Sequence, residues 1–125
     1  MIGVLRFFVP GPLPGQNEII AACKGCGGKG YGYATMKKQW TLAVFWRAKE
    51  AQLPHVKRAR FEYRWIERDM ARDPSNIVAA RKFVEDGLVD AKVLDNDGWK
   101  QIAGWTDIFE VGAKPGVEVT IIPVP

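Results

Sequence analysis

The reading of this chain turns on Arg72-Asp73-Pro74-Ser75-Asn76-Ile77, an amphipathic run, and then Leu94-Asp95-Asn96-Asp97-Gly98-Trp99-Lys100. Asp before Pro is a helix-start signal, because Asp can accept from free backbone N–H groups and Pro suits the first helical position. From there apolar residues fall at Ile77, Ala80, Val84, Leu88 and Ala91, the spacing of one buried helical stripe. Arg81, Lys82, Glu85 and Asp86 fill the solvent side. A helix that starts at Pro74 and ends near Leu88 is about 21 Å long. Residues 89–97, fully extended, reach up to roughly 30 Å, enough to run back along the helix and set Asp97 beside Asp73. Two carboxylates meeting at a positively charged helix start can hold a divalent metal, and nearby basic residues attract a polyanion. That is the chemistry of a metal-dependent nuclease.

The 125 residues fit one domain spanning 1–125, and 47% apolar with 26% charged residues is ordinary globular composition. Eighteen Lys and Arg against 14 Asp and Glu leave a net charge of +4, which permits nucleic-acid binding without demonstrating it. No apolar run approaches the roughly 20 residues that span a bilayer, and residues 1–10 lack the features of a secretory leader, so a cytoplasmic protein without a membrane partner is expected. The two cysteines, Cys23 and Cys26, are too few for a disulfide framework. With His55 the only histidine, a zinc site needs further ligands, and two ordinary thiols are the expectation.

Along the chain, residues 2–9 read as a first, largely buried strand. Pro10-Gly11-Pro12-Leu13-Pro14-Gly15 makes a turn-rich exit, and the six glycines between Gly15 and Tyr33 read as a long mobile loop that orders on a partner. Without a Gly-Lys-Ser/Thr ending it is not a nucleotide-binding loop, so no nucleotide cofactor is expected. Residues 34–52 read as a helix that buries Met36, Trp40, Ala43, Phe45, Trp46 and Leu53, with Lys37 and Lys38 in its first turn, where cations oppose the helix dipole. Such a cost suggests another use for their charge, for instance facing phosphate, with simple solvation as the alternative. From His55 to Glu67 the period changes. Ala59, Phe61, Tyr63 and Trp65 alternate with Arg58, Arg60, Glu62 and Arg64, a strand with one aromatic and one basic face. Six basic and three acidic residues between Lys57 and Arg72 make this the best candidate for a nucleic-acid contact surface, alongside a solvated face of cross-strand ion pairs. His55 reads as a surface histidine. Residues 99–111 and 117–124 read as strands joined by the turn Lys114-Pro115-Gly116 into a terminal hairpin. The order strand, loop, helix, strand, helix, strand, strand is a mixed α/β fold in one layered domain.

The pattern Arg-Asp-x-x-Asn at Arg72, Asp73 and Asn76, the helix containing Asp86, and an acid 11 residues after Asp86, at Asp97, resemble the RusA-type Holliday-junction resolvases. In that family an Arg-Asp-x-Asp-Asn segment opens a helix and a doubled acid follows it. Pro10-Gly11-Pro12-Leu13-Pro14-Gly15-Gln16-Asn17 resembles the family's Pro-rich strand exit, Tyr33-Ala34-Thr35-Met36-Lys37-Lys38 its polar lead-in to the first helix, and Gly116-Val117-Glu118-Val119 its final strand. The resemblance implies a homodimeric, Mg²⁺-dependent endodeoxyribonuclease, with Mn²⁺ able to substitute, often phage-encoded, that nicks four-way DNA junctions in recombination and repair.

Carried over by position, Asp73 and Asp97 are the metal-binding catalytic acids. Ser75 stands where the family has its second helix-start carboxylate, with Ser75 and Asn76 still able to offer neutral oxygens or hold a bound water at the catalytic site. Ala79 stands where a lysine is common. Arg81, Lys82 and Lys100 are the candidates to replace that lysine. Arg72, Lys100 and the basic strand, with Lys37, Lys38, Arg81 and Lys82, would hold the DNA backbone. The alternative is a weakened or inactive relative that binds DNA without cutting it, and a third reading treats both acidic clusters as cap and turn on a protein-interaction domain.

Overall fold

The alternation of residues 59–65 builds the centre of the molecule. In the computed structural model, which describes residues 3–28 and 31–125 without the side chains of residues 26–28 and 31, β2 spans Ala59–Glu67. Its Ala59, Phe61, Tyr63 and Trp65 are fully buried, with the Tyr63 and Trp65 rings stacked at 5.5 Å. β4 (Gly116–Pro123) runs antiparallel to β2 on one side, and β1 (Leu5–Pro10) runs antiparallel to β4 beyond it. β3 (Ile102–Val111) pairs with β2 in parallel on the other side, giving the order β1-β4-β2-β3.

The register puts Phe7, Val119, Tyr63 and Asp107 in one row and Val9, Val117, Trp65 and Phe109 in the next, all on the helix-covered face. The opposite face carries Arg6, Glu62, Arg64 and Glu118 around an open polar groove. There Arg64 donates from Nε to Glu110 at 2.8 Å and from NH1 to Glu118 at 3.3 Å.

The terminal hairpin does not form. Residues 112–115 do link β3 to β4, but β4 inserts between β1 and β2 while β3 joins the far side of β2. Glu67 accepts from the Gly112 N–H at 2.8 Å as the chain crosses the end of β2. The gain is burial: Val117, Val119 and Ile121 are fully buried in the sheet's interior, whereas β3, paired on one edge only, leaves Trp105, Ile108, Phe109 and Val111 exposed.

The glycine-rich stretch is also not a loop. Gln16–Gly28 forms α1, which packs on α2 (Tyr31–Glu50). Tertiary anchors override weak helix propensity here. Glu18 accepts from the Gly15 N–H at 3.1 Å, and Asn76 Oδ1 accepts from the Asn17 N–H at 2.9 Å, satisfying two donors at the helix start. Gly32 lets the two helices approach, since a Cβ there would lie 3.0 Å from the Ala22 carbonyl oxygen. Ile2, Lys29, Gly30 and the Cys26 side chain, on which parts of the strand, loop and zinc expectations rest, lie outside the described residues. Cys23 is a free, exposed thiol.

In α2 the buried face is Thr41, Val44 and Ala48, with Met36, Trp40 and Phe45 partly buried against the core. Trp46 points outward, 60% exposed, contrary to its expected burial. Because the helix starts at Tyr31, Lys37 and Lys38 lie beyond its first turn, and the cations that complement its dipole are Arg47 and Lys49 in the last turn.

The crossover from β2 to β3 begins with one turn, α3 (Pro74–Ile77), tightens through a 3₁₀ turn (Val78–Ala80), and continues as α4 (Arg81–Asp90). Ile77, Ala80, Val84, Leu88 and Ala91 are all buried, as the stripe requires. Glu85, expected in solvent, is buried too. Among the described residues no helix is long and apolar enough to cross a membrane.

Candidate metal and nucleic-acid site

Parallel pairing of β2 and β3 fixes where the expected site residues go. β2 exits at Glu67 opposite Val111, the end of β3, whereas Asp97 precedes the start of β3 at Ile102. Asp73 therefore lines a cleft of about 300 Å³ with Glu67, Met70, Ile77, Phe109 and Glu110, at the carboxyl ends of the two strands. Asp97 lines a different cleft of about 280 Å³, with Lys37, Thr41, Asp86, Asp90 and Asn96.

Asp97 is tied to Lys82, nine residues beyond Asp73, which corresponds to about 14 Å of helix axis at 1.5 Å per residue. A metal ion shared by two carboxylates needs both oxygens within roughly 2.0–2.6 Å of it, so Asp73 and Asp97 of one chain do not share an ion in this fold. The return segment falls short because it is not extended. Residues 91–94 wrap the end of α4, with the Val93 and Leu94 N–H groups both donating to the Leu88 carbonyl, at 3.0 and 3.3 Å, and Lys92 at φ 66°.

The other helix-start residues are structural. Asp73 occupies the N-cap position, yet its carboxylate makes no capping bond, so it is not the side-chain cap expected from Asp-Pro. Its backbone carbonyl receives the Asn76 and Ile77 N–H groups at 2.9 and 3.1 Å. Ser75 is exposed. The side-chain oxygen of Asn76 is occupied by α1, as described. Arg72 is not a free phosphate contact. Its Nε and NH2 make two 2.8 Å bonds to the two oxygens of Glu67, while NH1 reaches the Leu13 carbonyl at 2.9 Å and Glu18 at 2.8 Å. The Glu67 bonds, foremost, hold its guanidinium more firmly charged than usual.

What the fold does bring together is Asp97 with Asp86. The Lys82 ammonium sits between them, in contact with Asp97 Oδ2 and 3.1 Å from Asp86 Oδ1. Asp86 Oδ2 is buried without a hydrogen bond, and Lys37 Nζ approaches it only to 3.8 Å. Bonding from Lys82 holds the Asp97 carboxyl below its ordinary range, and bonding to Asp97 holds Lys82 well above its own. The turn that carries Asp97 is hydrogen-bonded at both ends: Asn96 Oδ1 accepts from the Asp97 N–H at 2.9 Å, and Gln101 Oε1 accepts from the Gly98 N–H at 3.2 Å.

Beside this pair, Arg81 stacks on the Trp105 ring at 4.5 Å and pairs with Asp107, whose other oxygen accepts from Trp65 Nε1 at 2.8 Å. Glu85 accepts from Trp105 Nε1 at 3.0 Å, and burial raises its carboxyl above the ordinary value. Arg81, Lys82 and Arg64 are thus committed to carboxylates. Lys38, Arg58, Arg60 and Lys100 have no ion-pair partner among the described residues and remain available to phosphate.

Asp86 was missed as a ligand candidate because helical spacing alone put it in solvent. The Lys82-x-x-x-Asp86 spacing was the available signal, since residues four apart share a helix face. Among the described residues no three His, Cys, Asp or Glu side chains gather as a metal site. Mg²⁺ is commonly held by only one or two carboxylates, with water and substrate phosphate completing the shell, so the Asp86–Asp97 pair and its orphaned oxygen fit that demand. His55 lies on the surface, Nε2 3.0 Å from Asp95 Oδ1. Compared with known protein families and with curated proteins, the chain matches none.

Proposed function

We propose that this protein is a divalent-metal-dependent endodeoxyribonuclease of the RusA type that nicks four-way DNA junctions as a homodimer in the cytoplasm. The observation that carries the reading is the convergence of Asp86 and Asp97 on one cation position, next to Lys37. Mg²⁺ or Mn²⁺ held by these two carboxylates would supply the Lewis acidity that orients a water and stabilises charge on the phosphate. Asp97, whose carboxyl is held below its ordinary range by bonding from Lys82, and Asp86, with one oxygen left without a hydrogen bond, are the two groups that would receive the ion.

In contact with Asp97 and Asp86, Lys82 is held protonated well above the ordinary lysine value, so in this arrangement it is a charge and not a base. A metal held by the two carboxylates would take the place the Lys82 ammonium fills, and that ammonium would then lie beside Lys37 facing phosphate. Lys38 and Lys100 extend the same positive field, and their contacts fix the backbone without reading bases. Two copies related by a two-fold axis match the symmetry of a four-way junction.

A second reading, a DNA-binding relative that does not cut, is favoured by two observations: Ser75 in place of a carboxylate, and a lysine already neutralising the acid pair. The test uses a labelled four-way junction and a linear duplex of the same sequence, with and without Mg²⁺. Nicking of the junction alone, only with metal, supports the nuclease. Salt-dependent binding without nicking supports the second reading, and absence of salt-dependent binding overturns both.

A further inference from the structure

Trp99 is 96% exposed, an unusual position for the largest apolar side chain, yet it is not on a loose segment. The Gln101 and Ile102 N–H groups both donate to the Gly98 carbonyl, at 3.1 and 3.0 Å, and close the turn beneath the indole. Asp97, its near neighbour in the chain, is clamped by Lys82. The indole is therefore presented to solvent from a braced turn.

The surroundings are cationic. Lys100 is adjacent in sequence, and the Ala59 N–H donates to the Gln101 carbonyl at 2.9 Å, which puts residues 57 and 58, Lys57 and Arg58, at the same end of the sheet. None of these three cations has an ion-pair partner among the described residues. The nearby acids are engaged, Asp95 beside His55 and Asp97 with Lys82.

A flat exposed aromatic face with unpaired cations at the same end of the sheet is the combination that binds single-stranded nucleic acid, where the ring stacks on a base and the cations follow the backbone. We propose that Trp99 is a stacking platform for an unpaired base, with Lys100, Lys57 and Arg58 holding the flanking phosphates. This deepens the nucleic-acid reading above and rests on it. Bases unstack at the centre of an open junction, and that is the substrate feature Trp99 would engage. A partner protein would find the indole as well, but three unpaired cations at the same end of the sheet favour a polyanion.

The test titrates the full-length protein into a single-stranded oligothymidylate carrying one 2-aminopurine, whose fluorescence falls when it stacks. Wild type is expected to quench it, W99A to lose the quench and bind roughly 10-fold more weakly, and W99F to stay close to wild type. K100A should weaken binding and reduce the salt slope by about 0.7. Because the indole touches no core residue, all variants should melt with wild type. Equal quenching and affinity for W99A overturn the proposal and point to a protein contact instead. If wild type binds the junction but not the single strand, the Trp99 assignment fails alone. If it binds neither strand, junction nor duplex, the nucleic-acid reading fails with it.

Discussion

Arg72 looks like a phosphate ligand in the sequence and a staple in the structure, and the two roles predict different consequences of R72A. Its guanidinium joins the end of β2 at Glu67 to the β1 exit at Leu13 and the first turn of α1 at Glu18. Side chains of Arg72 and Glu67 are 20% and 13% exposed, so removing the guanidinium leaves a largely desolvated carboxylate without its bidentate partner. Breaking a buried pair on one side costs about 3–5 kcal/mol, and partial exposure puts this case near the lower end, about 3 kcal/mol. For a chain of this size that corresponds to a drop in Tm of about 10 °C. R72K should recover less than half, since an ammonium cannot reproduce the two-pronged contact. Thermal melting followed by circular dichroism, beside DNA affinity at several salt concentrations, separates the roles. The staple predicts a large loss of stability with an unchanged salt slope. A melt within about 2 °C of wild type, with the slope lowered by about one, would refute it.

Two further outcomes follow from packing and burial. Gly87 faces α2 so closely that a Cβ there would lie 2.5 Å from the Val44 side chain, so G87A should destabilise by about 1–2 kcal/mol in a denaturant titration, overpacking outweighing the helix-propensity gain of about 1 kcal/mol. Burial raises the Glu85 carboxyl above its ordinary 4.5, so the native state holds this proton more tightly than the unfolded chain and loses stability as pH climbs from 4.5 through the raised value. E85Q, which still accepts from Trp105, should therefore be more stable than wild type at neutral pH, with the gap closing below pH 4.5 in urea melts.

Elements whose burial pattern is local were legible in the sequence. The aromatic alternation of residues 59–65 and the stripe from Ile77 to Ala91 need no partner to be recognised, and both landed on the core. The misreadings share a cause: each was decided by a distant contact. α1 is glycine-rich and weak by propensity, but Asn76, 59 residues beyond Asn17, supplies its cap. The local turn at Lys114-Pro115-Gly116 suggested a hairpin, but the apolar side chains of β4 bury better between β1 and β2.

The distance from Asp73 to Asp97 was misjudged for the same reason. Length alone allowed the chain to return, but a crossover into a parallel strand must deliver it to the opposite end of the sheet, so the acid before β3 cannot meet the acid after β2. Asp97 survives as a candidate ligand, whereas its companion changes from the helix-start acid to Asp86, and Arg72 and Asn76 become architecture. Glu85 escaped because its partner is distant in sequence: it accepts from the indole N–H of Trp105 in β3, a contact no helical wheel contains.

The shared-ion pair is tested most directly by titrating Mn²⁺ into the DNA-free protein and counting bound ions by electron paramagnetic resonance. Wild type and D73N are expected to bind Mn²⁺ equally while D86N and D97N each lose it. Loss of Mn²⁺ in D73N with retention in D86N would contradict the shared-ion pair and return the site to the start of the helix.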